Sequence, residues 1–83
     1  MQEEIFKKVA ELIAANNDIA VETITMDSTF QKLTMDSLDG LALITDLESC
    51  YNISIPNAEA LKIRTVSEVV EKLEKLLILQ QKL

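Results

Sequence analysis

Histidine and tryptophan are missing from this sequence of 83 residues, and glycine, proline and cysteine occur once each. Without histidine, the chain has no Ser-His or Cys-His pair for nucleophilic catalysis and no His/Cys cluster to hold zinc. The single glycine, Gly40, excludes a glycine-rich phosphate loop. The single cysteine, Cys50, excludes an internal disulfide. We therefore predict a protein that is not an enzyme and has no metal site.

Long apolar runs are also missing from the sequence. No stretch approaches the roughly 18 to 20 apolar residues that span a bilayer. Residues 1–15 show no basic, apolar leader of the secretory type, so the expected location is the cytoplasm, with no membrane partner. The length fits one small domain covering residues 1–83, and we expect this domain to be a monomer.

Basic residues are absent from the middle third of the chain. The formal net charge is −6, and residues 33–61 contain no lysine or arginine. The acidic residues of this segment are Asp36, Asp39, Asp46, Glu48 and Glu59. An anionic surface repels nucleic acid and attracts basic protein surfaces. The charge pattern therefore predicts a protein partner and excludes a nucleic-acid partner.

Aromatic residues are scarce, at 4% of the chain, although hydrophobic residues make up 48%. A core must therefore be built from leucine, isoleucine, valine and methionine. These residues recur at spacings of three and four, which predicts helices over residues 2–15, 37–51, 56–62 and from 65 to near the C terminus. Residues 19–33 show no sustained period and predict a long loop. The predicted fold class is all-α: a small four-helix bundle with three longer helices and one short helix, and a long loop between the first two helices.

Several finer features accompany these helices. Thr65 and Glu68 form a capping box at the start of the last helix, and Cys50 is expected to be a small apolar filler. One apolar face of the second helix is predicted to consist of Leu38, Leu41, Ile44, Leu47 and Tyr51. The predicted anchors of the loop are Ile19, Val21, Ile24, Phe30 and Leu33.

The tetrapeptide Thr-Met-Asp-Ser occurs twice, at residues 25–28 and 34–37. No helix fits between the first copy and the second, so Ser28 is predicted to be a turn residue. Ser37 instead stands where the loop ends and a helix begins, beside backbone N–H groups that have no partner within the helix. Such a position favours a phosphate group. On these features alone, a simple helix cap formed by Asp36 and Ser37 stays open as the alternative.

A set of short motifs then follows in a fixed order along most of the chain. These motifs are Phe30-Gln31-Lys32-Leu33, Asp36-Ser37-Leu38, Leu47-Glu48, Ile55-Pro56 and Thr65-Val66. Their order and spacing resemble those of the acyl carrier protein family. The resemblance implies that Ser37 carries a covalent 4′-phosphopantetheine arm, attached by a phosphopantetheinyl transferase. It also implies that acyl-loading and acyl-processing enzymes of fatty-acid, polyketide or related lipid biosynthesis are partners.

The resemblance assigns roles to the residues around Ser37. Asp36 and Leu38 are expected beside the attachment site, with Asp36 serving either as a cap or as a contact for the transferase. The residues expected to contact partner enzymes are Met35, Asp39, Asp46 and Glu48. Two alternatives stay open at this point: Met35 can fill core space, and the acidic residues can form an ordinary solvated helix face.

Three positions depart from the family pattern. Thr34 stands where the family commonly has glycine, and a positive φ there would strain a β-branched residue. Ala42 replaces a common glutamate, and Gly40 costs about 1 kcal/mol of helix propensity relative to alanine. These departures leave the pathway and the choice of transferase open.

Other classes of protein share some of these features. An aminoacyl, D-alanyl or peptidyl carrier would have the same motifs. A non-carrier four-helix interaction module would use Ser37 only as a cap, and a small hydrolase using Ser37 would lack a base. The apolar residues Ile78, Leu79 and Leu83 extend the last helix beyond what one bundle needs, which leaves self-association open.

Overall fold

The computed structural model describes residues 2–81, and these residues form an all-α fold. The helices are α1 (Gln2–Asn17), α2 (Ser37–Tyr51), α3 (Asn57–Ala60) and α4 (Val66–Gln81). A short 3-10 helix, Val21–Thr23, lies within the loop between α1 and α2. The predicted bundle of three longer helices and one short helix is confirmed for the described residues. Leu83 lies outside them.

The core forms where α1 packs on α4 and on α2. Its largest fully buried side chains are Ile13, Leu43, Leu47, Leu73, Val9, Val66, Val69 and Val70. Burying one such side chain stabilises a fold by roughly 1.5 to 3 kcal/mol. None of the helices within residues 2–81 has the length and apolar character that crossing a membrane requires.

The apolar face of α2 is buried over only part of its length. Leu43 is 1% exposed, whereas Leu38, which the spacing placed on the same apolar face as Ile44 and Leu47, is 75% exposed. Leu38 lies in the first turn of α2, before the level at which Leu43, Ile44 and Leu47 enter the core. The apolar face of α2 is therefore not buried along its whole length, and the helix begins with an apolar side chain in solvent.

Residues in the left-handed region end two of the helices. Asp18 has a φ of 54° directly after α1, so this helix runs to Asn17, two residues beyond the predicted end at residue 15. Asn52 has a φ of 54° and a ψ of 50° directly after α2. Asparagine and aspartate tolerate this conformation better than most residues. The short polar side chains therefore explain where both helices end.

A capping box begins α4, as predicted. The Glu68 N–H donates to Thr65 Oγ1 at 3.2 Å, and the Thr65 N–H donates to Glu68 Oε1 at 3.1 Å. Each side chain satisfies a backbone group that the helix leaves without a partner. The cap fixes the start of α4, and the same segment receives the long loop.

Main-chain hydrogen bonds attach the loop between α1 and α2 to the start of α4. An isolated antiparallel bridge joins Thr29 to Thr65. The amides of Phe30, Val66 and Ser67 donate to the carbonyls of Arg64, Ser28 and Met26 at 2.9, 3.0 and 3.0 Å. Ile24 and Leu33 are buried anchors, as predicted, but Val21 is 40% exposed and does not anchor the loop.

Candidate functional site

The junction between the long loop and α2 is closed by two aspartates. Asp36 is the N-cap residue, and its Oδ1 accepts a hydrogen bond from the Asp39 N–H at 2.9 Å. In return, Asp39 Oδ2 accepts from the Asp36 N–H at 3.2 Å. Such a cap stabilises a helix by about 1 kcal/mol. The prediction that Asp36 caps α2 is therefore confirmed, and Asp39 has a structural role that the sequence analysis missed.

Ser37 is the first residue of α2, and its side chain is exposed. The cap occupies the amide of Asp39, and the Gly40 N–H donates to the Asp36 carbonyl at 3.0 Å. Among residues 2–81, the amides of Ser37 and Leu38 and the Ser37 hydroxyl have no hydrogen-bond partner. Two free N–H groups at a helix N-terminus attract an anionic oxygen. The site therefore combines an available hydroxyl with donors suited to a phosphate.

The loop before Ser37 is strained at Thr34, whose φ is 59°. Its hydroxyl donates to the neighbouring Leu33 carbonyl at 2.6 Å. A left-handed conformation costs a residue other than glycine of order 1 to 3 kcal/mol. The Met35 N–H donates to the Phe30 carbonyl at 2.9 Å, and the buried side chains of Leu33 and Met35 hold either side of Thr34. Thr34 therefore has the positive φ that its place in the family pattern suggested. Burial of Leu33 and Met35 on either side of Thr34 maintains this conformation.

A cleft of about 400 Å³ opens beside Ser37. Gly40 and Leu41 of α2 form one wall, and Leu61 and Arg64 after α3 lie on another. The ring of Phe30 closes part of the floor; a Cβ built on Gly40 would lie 3.9 Å from its Cδ2 and Cε2 atoms. The cleft therefore combines apolar side chains with polar ones, and its polar residues are Thr29, Gln31, Asp36, Ser37 and Arg64.

The remaining acidic residues predicted to contact partners also hold the fold together. Asp46 Oδ2 accepts from Asn16 Nδ2 at 2.8 Å, which joins α2 to α1. Glu48 Oε2 accepts from the Ile55 N–H at 2.7 Å and fixes the chain after α2. A carboxylate keeps its charge while one oxygen accepts a hydrogen bond. Asp46 and Glu48 therefore contribute both structure and negative potential.

The apolar residues near the site divide into buried and exposed ones. Met35 is 7% exposed, so its side chain belongs to the core, and the core-filling alternative is the one that the structure supports. Leu38 and Leu61 are 75% and 57% exposed. They present apolar surface on α2 and just after α3, close to Ser37.

The far end of α2 has a different character. Cys50 is exposed, so the prediction of an apolar filler was wrong; its position on α2 points away from the core. Burial raises the pKa of the Tyr51 hydroxyl above its ordinary value, and the nearby Cys50 and Glu4 raise this pKa further. Cys50 and Tyr51 lie more than three helical turns from Ser37 along α2 and take no part in the site.

Comparison with known proteins agrees with this geometry. A family model described as a phosphopantetheine attachment site matches residues 7–73. An acyl carrier protein of Lactobacillus johnsonii is 42% identical over 71 residues, which cover 84% of this chain and 89% of the relative. The chain belongs to the acyl carrier protein family. A second acyl carrier protein, from Treponema denticola, is 40% identical over 70 residues, covering 83% of this chain and 90% of that protein.

Membership of the acyl carrier protein family implies a covalently attached 4′-phosphopantetheine group. The residues present at the start of α2 fit this group. Attachment needs an accessible hydroxyl, which Ser37 has, and the negative phosphodiester needs donors, which the free amides of Ser37 and Leu38 offer. The cleft beside Ser37 leaves room for a chain of atoms to leave the hydroxyl.

Proposed function

We propose that Ser37 is the attachment site of 4′-phosphopantetheine and that the protein carries acyl groups on this arm. The observation that carries the proposal is the exposed Ser37 hydroxyl, which is free of hydrogen bonds within the described part of the chain, at the N-terminus of α2. Ser28 belongs to the first copy of the tetrapeptide, and its hydroxyl oxygen accepts a hydrogen bond from the Thr25 N–H within a turn. Only one of the two serines is therefore suitable for modification.

The arm supplies a terminal thiol that holds an acyl group as a thioester. This chain's own residues contribute binding and orientation. Asp36 and Asp39 fix the first turn of α2 through their reciprocal hydrogen bonds, which keeps the Ser37 hydroxyl outside. The amides of Ser37 and Leu38 would donate to the phosphate oxygens. In this proposal, the phosphopantetheinyl transferase supplies the base that takes the Ser37 proton, and the chain itself has no histidine for this role.

The negative charge between residues 33 and 61 supports a docking surface for basic enzymes. In this proposal, the transferase and the acyl-loading and acyl-processing enzymes of fatty-acid or related lipid synthesis contact α2. Leu38 gives an apolar contact next to Ser37, and Asp39, Asp46 and Glu48 give negative potential. Met35, being buried, is left out of this surface.

Modification of the purified protein tests the attachment site. We expect incubation with coenzyme A, magnesium and a broad-range transferase to add one phosphopantetheine mass to the protein, measured by intact mass spectrometry. Ser28→Ala should gain the same mass, and Ser37→Ala should gain none while keeping its helical circular-dichroism spectrum. A mass gain on Ser37→Ala, or none on the parent protein, would show that the proposed site is wrong.

Charge removal tests the docking surface without breaking the internal hydrogen bonds. Asp39→Asn and Asp46→Asn keep an acceptor oxygen where Asp36 and Asn16 donate, but each removes one negative charge. We expect slower modification at low salt, with the difference from the parent shrinking at high salt. Asp18→Asn is a matched control, because asparagine also tolerates the left-handed conformation at this position. Equal rates for all three variants at low salt would remove the docking surface from the proposal.

The acyl group that the protein carries is a separate measurement. Intact mass of the protein purified from its own cell gives the group directly. A fatty acyl or ketoacyl group supports the lipid pathway, and an aminoacyl group would assign the chain to the aminoacyl or D-alanyl carriers instead.

A further inference from the structure

Arg64 lies on the same cleft as Ser37, although 26 positions separate the two residues in the chain. Main-chain hydrogen bonds fix this proximity. The Phe30 N–H donates to the Arg64 carbonyl at 2.9 Å, and the Met35 N–H donates to the Phe30 carbonyl at 2.9 Å. Met35 is two residues before Ser37. The backbone of Arg64 is therefore tied to the loop that presents the hydroxyl.

The charges around the cleft are unequal. Among the residues that line it, Arg64 is the one cation and Asp36 is the one acid. Asp39 adds a second negative charge to the first turn of α2, and no base occurs between residues 33 and 61. Within residues 2–81, the salt bridge present is between Lys72 and Glu59, so the exposed Arg64 guanidinium has no carboxylate partner there.

A phosphodiester on Ser37 adds one more negative charge beside two carboxylates. The free amides of Ser37 and Leu38 are neutral donors and leave that charge uncompensated. A guanidinium matches phosphate oxygens in geometry as well as charge, and its hydrogen bonds to phosphate are stronger than those between neutral groups. Of the cleft's side chains, Arg64 alone has these properties.

We propose that Arg64 is a positioning residue whose guanidinium pairs with the phosphodiester on Ser37 and so directs the arm along the apolar side chains of the cleft. This inference depends on the attachment at Ser37 proposed above. The apolar side chains of Phe30, Leu41 and Leu61 line the cleft, which suits the methylene and methyl groups of the arm. Arg64 acts on the orientation of the arm in the isolated carrier, before any partner is bound.

Nuclear magnetic resonance of the unsubstituted protein gives the direct test. The Arg64 side-chain Nε–H signal is compared before and after attachment of the arm, at low and at high salt. We expect a shift of this signal on attachment, and a smaller shift at high salt because exposed ion pairs are screened. An Nε–H signal that does not move on attachment would overturn the pairing.

Two charge-matched variants test the same contact from the phosphate side. Arg64→Gln removes the proposed partner, whereas Lys62→Gln removes one positive charge two residues away, from a side chain that lines a different depression with Glu68 and Glu71. We expect the phosphorus-31 signal of the modified Arg64→Gln protein to move and to lose its dependence on salt. The signal of Lys62→Gln should match that of the parent. Identical phosphorus signals in all three proteins would reject the assignment.

Intact mass keeps this test separate from that of the attachment site. Each protein is weighed before the resonance measurements, so a failure to add the arm counts against Ser37 and not against Arg64. Arg64→Gln is expected to fold, because its hydrogen bond to Phe30 uses the backbone carbonyl. Unchanged thermal unfolding of the unmodified variant checks this point.

Discussion

Residues 25–28 and 34–37 have the same four amino acids but opposite structural roles. In the first copy, Ser28 is half-buried, its hydroxyl oxygen accepts from the Thr25 N–H at 2.9 Å, and its carbonyl accepts from the Val66 N–H at 3.0 Å. In the second copy, Ser37 is exposed at the start of α2. A tetrapeptide alone therefore does not determine whether its serine is available.

The residues that follow each copy cause the difference. Thr29 and Phe30 pair with the start of α4, so the first copy is held in a turn against that segment. The second copy is followed by a helix, so Asp36 becomes a cap and Ser37 faces outward. Tertiary pairing uses the polar groups of one copy, and helix formation leaves a hydroxyl and two amides free in the other.

The largest stability difference between the copies is expected at their threonines. Thr34→Gly should stabilise the protein by about 1 kcal/mol, because relief of the left-handed strain exceeds the entropy that glycine adds to the unfolded chain. Thr25→Gly should destabilise the protein by about 0.5 to 1 kcal/mol, because glycine adds entropy to the unfolded chain without relieving any strain at this position. Within residues 2–81, positive φ occurs at Asp18, Thr34 and Asn52 and not at Thr25. Urea unfolding with an unchanged m value measures both. Equal destabilisation by the two glycines would contradict the strain at Thr34.

The aspartates come next in expected size. Asp36→Ala removes the cap of α2 and should lower the free energy of unfolding by about 1 kcal/mol. Asp27→Ala changes an exposed turn residue, and its effect should stay within about 0.5 kcal/mol. Thermal and urea unfolding of the two variants give the comparison. A larger loss for Asp27→Ala than for Asp36→Ala would mean that the capping box does not control the stability of this helix.

The serines should give the smallest difference in stability. The serine that is not modified, Ser28, should be the one whose substitution destabilises the protein more. Ser28→Ala removes the acceptor for the Thr25 N–H and should cost about 0.5 to 1 kcal/mol. Ser37→Ala removes an exposed hydroxyl without partners in the described chain and should change the free energy of unfolding by only a few tenths of a kcal/mol. If Ser37→Ala proved the more destabilising of the two, Ser37 would be a structural cap and not a free attachment point.

Local sequence signals predicted the helices of this fold well. The three-and-four spacing located α1, α2 and α4, and the Thr65–Glu68 capping box gave the start of α4 correctly. The failures were at positions where a neighbouring element decides burial. Cys50 was predicted to be buried but lies on α2 where no other element covers it. Leu38 shares the apolar face of α2 and is exposed as well, because periodicity alone does not show how far along a helix the core extends.

The candidate site was only partly predictable for the same reason. The second tetrapeptide and the helix after it indicated Ser37 and Asp36, because these features are adjacent in sequence. The hydrogen bonds from Asn16 to Asp46 and from Ile55 to Glu48 depend on how separate segments pack. The sequence therefore did not predict the structural roles of Asp46 and Glu48. Arg64 reaches the cleft only through the pairing of the loop with the segment before α4.

That pairing has a consequence for how the surface of the protein can change over evolutionary time. Main-chain amides and carbonyls form the pairing between the loop and the segment before α4. The path of the loop past residue 30 therefore does not depend on the identity of the exposed side chains at Asp27, Gln31 and Lys32. Substitution there can alter the face shown to successive enzymes while the serine stays where it is. Recognition and architecture can thus diverge separately in this part of the chain.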